Sequence, residues 1–222
     1  MSVLVNAKDL YLGYKHETII KNANFKINTK DFVFLTGISG SGKTTIIKSL
    51  YGEIPVLKGS LNVGGIELRN VKKSKLSYLR KYLGVVFQDY KLIPEWNILK
   101  NVMLPLLIAG VDKQVAENEA MKLLNKVKLS HKIDKFPEEL SGGEQQRAAI
   151  ARAIIHEPVM ILADEPISGL DEYSANLVMD LFVMANKEKD ITVVIASHSL
   201  PQTFNVEYRQ IHLEKGQVYE LS

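Results

Sequence analysis

Four short apolar runs punctuate the chain: Phe32-Val33-Phe34-Leu35, Val85-Val86-Phe87, Met160-Ile161-Leu162-Ala163 and Val193-Val194-Ile195-Ala196. None alternates with polar residues. Continuous runs of this length, rich in β-branched residues, fit strands of a parallel sheet covered on both faces. Each run ends in polar or glycine-rich sequence: the first leads to Gly37, the second to Gln88, the third to Asp164-Glu165 and the fourth to Ser197-His198. In open α/β sheets ligands bind just beyond the C-terminal ends of the strands. The four polar ends are therefore where chemistry is expected.

Between the second and third runs the period changes. Ala116, Ala120, Leu123, Leu124 and Val127 recur at helical spacing behind Asp112, which suits a cap. A second helix is expected from Ser141, ending before Pro158, because a proline disfavours helix in the residue before it. A third is expected from Gly42 to about Leu50. Near the C-terminus, Arg209–Leu213 and Gln217–Tyr219 flank Glu214-Lys215-Gly216, a hairpin signal. No repeat or low-complexity tract interrupts the 222 residues, which are enough for one substantial domain.

Composition narrows the class rather than naming it. Hydrophobic content of 46% and charged content of 24% are ordinary for a globular protein. The net charge of +3 is too weak to argue for nucleic acid, although an anionic membrane surface would tolerate it. The absence of cysteine excludes disulfides and thiolate metal sites. The first residues lack a cleavable signal pattern, so a cytoplasmic protein is expected. The longest apolar run, Val102–Ala109, falls far short of the ~20 residues of a membrane span. A connection to a membrane would have to come through a partner.

Gly37-Ile38-Ser39-Gly40-Ser41-Gly42-Lys43-Thr44 is a phosphate-binding loop pattern, set between an expected strand and an expected helix as that pattern requires. Glycines let backbone N–H groups curl around phosphate oxygens, and the helix N-terminus adds partial positive charge. Lys43 can reach the β and γ phosphates, and the Thr44 hydroxyl can bind Mg²⁺. Asp164 and Glu165 close the third run. They can serve a metal and a water, or they can simply cap the next helix. Leu140-Ser141-Gly142-Gly143-Glu144-Gln145 reads as a serine-capped, glycine-rich helix start, a second anion site.

The two glycine motifs in this order, with Glu144-Gln145-Gln146-Arg147 and Ala151-Arg152-Ala153 following, resemble the ATP-binding cassette (ABC) ATPases over essentially the whole chain. The resemblance implies an α/β fold of the P-loop NTPase, ABC type. It has a mainly parallel core sheet, an N-terminal antiparallel β subdomain and a helical subdomain inserted at about 89–157 of a single domain spanning 1–222. It also implies roles. Gly37, Ser39, Gly40, Ser41, Gly42, Lys43, Thr44 and Thr45 would hold ATP. Thr44, Asp164 and the Q-loop glutamine Gln88 would attend Mg²⁺. Glu165 would orient or deprotonate the attacking water, with Gln88 and the switch histidine His198 beside it. Tyr14, preferred to Tyr11 on its spacing to Gly37, would stack on adenine. Ser141, Gly142, Gly143, Glu144 and the D-loop Asp171 would act across a head-to-tail homodimer, on the ATP held by the other chain.

The stretch Leu79–Asp89, with Asn101-Val102, Leu104-Pro105-Leu106 and Ala109-Gly110, is similar to the group of cell-division (FtsE), lipoprotein-release (LolD) and macrolide-export ATPases. Phe87-Gln88-Asp89, Lys135-Phe136-Pro137 and Leu140–Arg147 look most like the cell-division branch. That implies an integral membrane partner of the FtsX type, a site on the cytoplasmic face of the plasma membrane, and no nucleic acid. The resemblance is not perfect. Ser168-Gly169-Leu170-Asp171 and Lys30 depart from the commoner forms, as does Ser199, where these ATPases often carry Asp.

Overall fold

The apolar runs do form a parallel sheet. The structure, a computed structural model, describes residues 2–14, 17–198, 200, 204 and 206–221; Ser199 lies outside them. The chain opens with two long strands, β1 (Val3–Tyr14) and β2 (Glu17–Asn28), followed by β3 (Phe32–Thr36) and α1 (Lys43–Leu50). Next come β4 (Val56–Val63), β5 (Ile66–Glu67), α2 (Lys73–Arg80) and β6 (Leu83–Val86). Three helices follow: α3 (Ile98–Ile108), α4 (Lys113–Lys126) and α5 (Gly142–Ile154). The chain finishes with β7 (Met160–Asp164), α6 (Glu172–Lys189), β8 (Thr192–Ala196) and the hairpin β9 (Arg209–Glu214) and β10 (Gln217–Leu221).

The larger sheet has the order β10-β9-β3-β8-β7-β6, parallel except for the antiparallel edge strand β10. The smaller sheet is antiparallel, β2-β1-β4-β5. A backbone bond from Lys21 N to Gly216 O, 2.8 Å, ties it to the β9–β10 turn.

Successive side chains of a strand point to opposite faces, and the central strands fill two cores accordingly. Phe32, Phe34, Ile161, Ala163, Val193 and Ile195 pack with the apolar residues of α3 to α6. Val33, Leu35, Met160, Leu162, Val194 and Ala196 pack with α1 and the antiparallel sheet. Both faces are thus dry, which is why these strands carry no polar alternation. The Q-loop run is shorter than its sequence suggests. β6 ends at Val86, and Phe87 turns out of the ladder to meet Tyr51 edge-on, 6.3 Å between ring centres.

Helix ends fall where the sequence placed them. The Asp112 carboxylate accepts from Gln114 N at 2.9 Å and Val115 N at 3.3 Å. Ser141 and Glu144 form a reciprocal capping box: the Glu144 carboxylate accepts from Ser141 N at 2.9 Å, and Ser141 Oγ accepts from Glu144 N at 3.3 Å. Burial acts to raise the Glu144 pKa, but the Ser141 N–H and hydroxyl, with Lys132 and Arg147, outweigh it and hold the carboxyl below its usual range.

Candidate functional site

The loop between β3 and α1 depends on its glycines. Gly37 has φ +142° and Gly42 φ +106°, backbone that side-chain-bearing residues rarely adopt. A Cβ on Gly37 would lie 2.3 Å from Leu213 O, and one on Gly42 would lie 2.5 Å from Ile20 Cδ1. The loop is therefore wedged between β9 and β2, while Ser39 and Gly40 stand exposed at its tip. Thr45 is buried beneath it, and the buried Ser41 Oγ lacks a hydrogen-bond partner. A buried hydroxyl left unsatisfied in a glycine-rich loop at a helix N-terminus suits an anion such as a nucleotide phosphate.

Lys43 opens α1 and is 6% exposed, an unusual setting for a lysine. Its Nζ donates to Gly37 O at 2.9 Å and Ile38 O at 3.3 Å, and lies 3.6 Å from Glu165 Oε1. The other carboxylate oxygen of Glu165 meets His198 Nδ1 at 2.9 Å. One carboxylate thus sits between the loop lysine and the histidine beyond β8. Glu165 has φ +48°, and its N–H donates to Ala196 O at 2.9 Å. A non-glycine residue held in the left-handed region costs on the order of 1 kcal/mol or more. The bond across to β8 holds it there and aims its side chain at Lys43.

Next to it, Thr44 Oγ1 donates to Asp164 Oδ1 at 3.1 Å. Burial pushes the Asp164 carboxyl up from its ordinary range, with Glu165 adding to the rise; Thr44 and Lys43 pull against them. A hydroxyl and a carboxylate side by side are hard oxygen donors that suit Mg²⁺. Among the described residues no group of three or more His, Cys, Asp or Glu could hold a metal alone. Mg²⁺ fits such a sparse set, because it keeps waters and takes its other ligands from phosphates.

The raised Asp164 pKa has a consequence for stability. Its folded pKa lies above the unfolded one, so the folded state binds the proton more readily. Ionisation at neutral pH therefore costs stability, a cost that begins to shrink as pH falls to the raised value and is gone once pH is below the unfolded one. Asp164→Asn is expected to raise the thermal midpoint of the ligand-free protein at pH 7 and to remove Mg²⁺-dependent nucleotide binding. The gain in midpoint over the parent should shrink as the melts are repeated at lower pH.

The remaining predicted residues lie apart from this cluster. Gln88 is exposed in the turn after β6. Val86 lies beside Ala163, so that turn leaves the sheet at the same end as Asp164. Tyr14 ends β1 and is 52% exposed, whereas Tyr11 carries Lys58 Nζ 5.7 Å above its ring. Of the two rings, Tyr14 is the more exposed.

Ser141 and Gly142 are exposed at the start of α5, and Gly143 is buried against α6. A Cβ on Gly143 would come within 2.9 Å of Ser174 Oγ, so only glycine allows the two helices this approach. Asp171 caps α6 by accepting from Ser174 N at 3.0 Å, which links the D-loop to the same contact. No hydrogen bond or ion pair among the described residues joins residues 141–144 to residues 37–45, 164–165 or 198.

Two residues outside the expected set hold the backbone after Gln88. Asn101 is fully buried; its side chain accepts from Ile93 N at 2.7 Å and donates to Ile93 O, Trp96 O and Asn97 O at 3.0, 2.9 and 3.2 Å. Arg152 donates to the carbonyls of Tyr90 and Lys91. The available signal was polarity in apolar company: Arg152 stands amid Ala148–Ile154, and Asn101 within an apolar α3.

Comparison with known proteins agrees with this geometry. The ABC transporter family matches residues 20–168. A cell division ATP-binding protein FtsE from Streptococcus pneumoniae is 37% identical over 216 residues, covering 97% of this chain and 94% of its own. A lipoprotein-releasing system ATP-binding protein LolD from Buchnera aphidicola is also 37% identical, over 95% and 97%. Among solved structures, the ATP-binding cassette MJ0796, a dimer in a post-hydrolysis state bound to ADP and Pi, superposes with a TM-score of 0.87 at 31% identity, covering 98% of this chain and 97% of that one. With its phosphate loop, its Lys43–Glu165–His198 contact and this likeness along nearly its whole length, the chain belongs to the ABC transporter family and is one of its ATP-hydrolysing subunits.

Proposed function

We propose that the chain hydrolyses ATP as a head-to-tail homodimer on the cytoplasmic face of the plasma membrane, driving a membrane partner of the FtsX type in cell division. The observation that carries the dimer is the separation within one chain. The phosphate loop with Asp164, Glu165 and His198 forms one half-site, and the exposed Ser141-Gly142 helix start forms another, with no bond to the first among the described residues. A second chain, inverted, would lay its helix start across the γ-phosphate, where its N–H groups and partial positive charge are favourable.

In this arrangement the loop N–H groups and Lys43 bind the phosphates, and Thr44 and Asp164 hold Mg²⁺, with Gln88 brought up to it. Mg²⁺ supplies positive charge against the charge that develops on the phosphate oxygens. Glu165 orients or deprotonates the water, and His198 and Lys43 fix its carboxylate from either side. Tyr14 stacks on adenine, and Asp171 with Glu144 shapes the partner's edge of the site. ATP then holds the two chains together and hydrolysis releases them, a population shift set by contacts that exist only in the ATP state. The helical segment of about 89–157 moves as a unit on the single domain and passes the change to the partner. No helix among the described residues is long and apolar enough to cross a membrane, so the partner must supply the span.

The cell-division role is supported by Phe87-Gln88-Asp89, Lys135-Phe136-Pro137 and Leu140–Arg147. Lipoprotein release is the second reading, because a LolD relative is equally similar. Affinity purification of the chain from membranes of its own cell separates the two. Recovery of a four-span protein with a modest extracytoplasmic domain is expected. Recovery of partners with large periplasmic domains, as lipoprotein release needs, would overturn the division role.

A further inference from the structure

The turn that carries Gln88 is fastened to the helix that carries the signature. Tyr90 N donates to Phe87 O at 3.1 Å, closing a four-residue turn with Gln88 inside it. Tyr90 and the next residue, Lys91, have φ of 60° and 48°, two non-glycine residues in succession in left-handed backbone. Such backbone persists only where its surroundings hold it. Here the holder is Arg152 in the last turn of α5: Nη2 donates to Tyr90 O at 2.8 Å and Nη1 to Lys91 O at 2.7 Å. A planar guanidinium can serve two adjacent acceptors at once, which a lysine ammonium does less well. Tyr90 also reaches the opposite end of the helix. A Cβ on Gly142 would lie 3.2 Å from the Tyr90 hydroxyl. The residues after Gln88 thus touch both ends of α5, whose first turn is the Ser141–Gly143 start.

We propose that Arg152 is a positioning residue that couples the two sites of the dimer: when α5 of one chain closes over its neighbour's ATP, Arg152 carries Tyr90, and with it Gln88, toward the ATP of its own chain. This rests on the trans-site reading given above. Closure at one site then prepares the other, so the rate depends cooperatively on ATP through a link inside each chain.

The test is a double-mutant cycle on ATP turnover by the full chain. Arg152→Ala is expected to leave nucleotide affinity and ATP-dependent dimerisation in place. It lowers kcat on the order of ten- to a hundred-fold and moves the Hill coefficient toward one. Arg152→Lys should fall between, since it keeps one of the two bonds. It replaces the alanine variant in the cycle if that variant does not fold. Gln88→Ala combined with Arg152→Ala should be no slower than Gln88→Ala alone, because both changes remove the same group from place. Additive losses would overturn the proposal, since Arg152 would then act on something other than Gln88. An unchanged Hill coefficient in Arg152→Ala would overturn the coupling. Full turnover by Gln88→Ala would instead remove the reading beneath the proposal, and the proposal with it.

Discussion

Glu165→Gln lowers ATP turnover on the order of a hundred- to ten-thousand-fold, the range for losing a positioned general base, while ATP binding survives. The substitution preserves shape but removes the negative charge that now faces Lys43 at 3.6 Å and His198 at 2.9 Å. The phosphate loop, Thr44 and Asp164 are untouched, so the nucleotide still docks. If ATP holds two chains together, a variant that binds but does not hydrolyse accumulates as the ATP-bound dimer. Stopped turnover should therefore coincide with a larger particle in sedimentation. Undiminished turnover would mean that another group activates the water.

Ser141→Arg abolishes the ATP-dependent dimer without weakening nucleotide binding by the single chain. Ser141 is exposed and lies outside the Lys43 cluster. A long guanidinium at this position fills the space that the neighbouring chain's ATP must enter. The change also removes the capping oxygen that accepts from Glu144 N, costing about 1 kcal/mol of helix stability. Ser141→Ala removes the cap without adding bulk, so it separates the two effects. It should retain most of the dimer. A wild-type dimer population in Ser141→Arg would refute the trans contact.

Much of this was legible because the residues concerned obey local rules. The four buried runs declare themselves by unbroken hydrophobicity, and each delivers its polar residues to one end of the sheet. Ser141 and Asp112 cap helices because of the oxygens they carry. What the sequence hid is tertiary. The 12-residue strands β1 and β2 mix buried and exposed positions irregularly, because register shifts break the alternation near Asp9 and Asn22, both at positive φ. The left-handed backbone of Glu165 cannot be read from an Asp-Glu-Pro string. It follows from the bond to Ala196 O, 31 residues further along the chain. The grip of Arg152 on Tyr90 and Lys91 spans about sixty residues and has no periodic trace.

The claim at the centre is that each ATP is served by two chains, and a mixing experiment tests it most directly. Lys43→Ala disables the phosphate half-site and Ser141→Arg the signature half-site. Each variant alone should be inactive. In a mixed dimer both lesions fall on one site, leaving the other with an intact Lys43 and an intact Ser141. An equimolar mixture should therefore regain activity above either component, with a ceiling of about a quarter of the parent, from half the dimers with one of two sites each, and less than that ceiling where coupling through Arg152 slows a lone site. A mixture as inactive as its components would contradict the composite site.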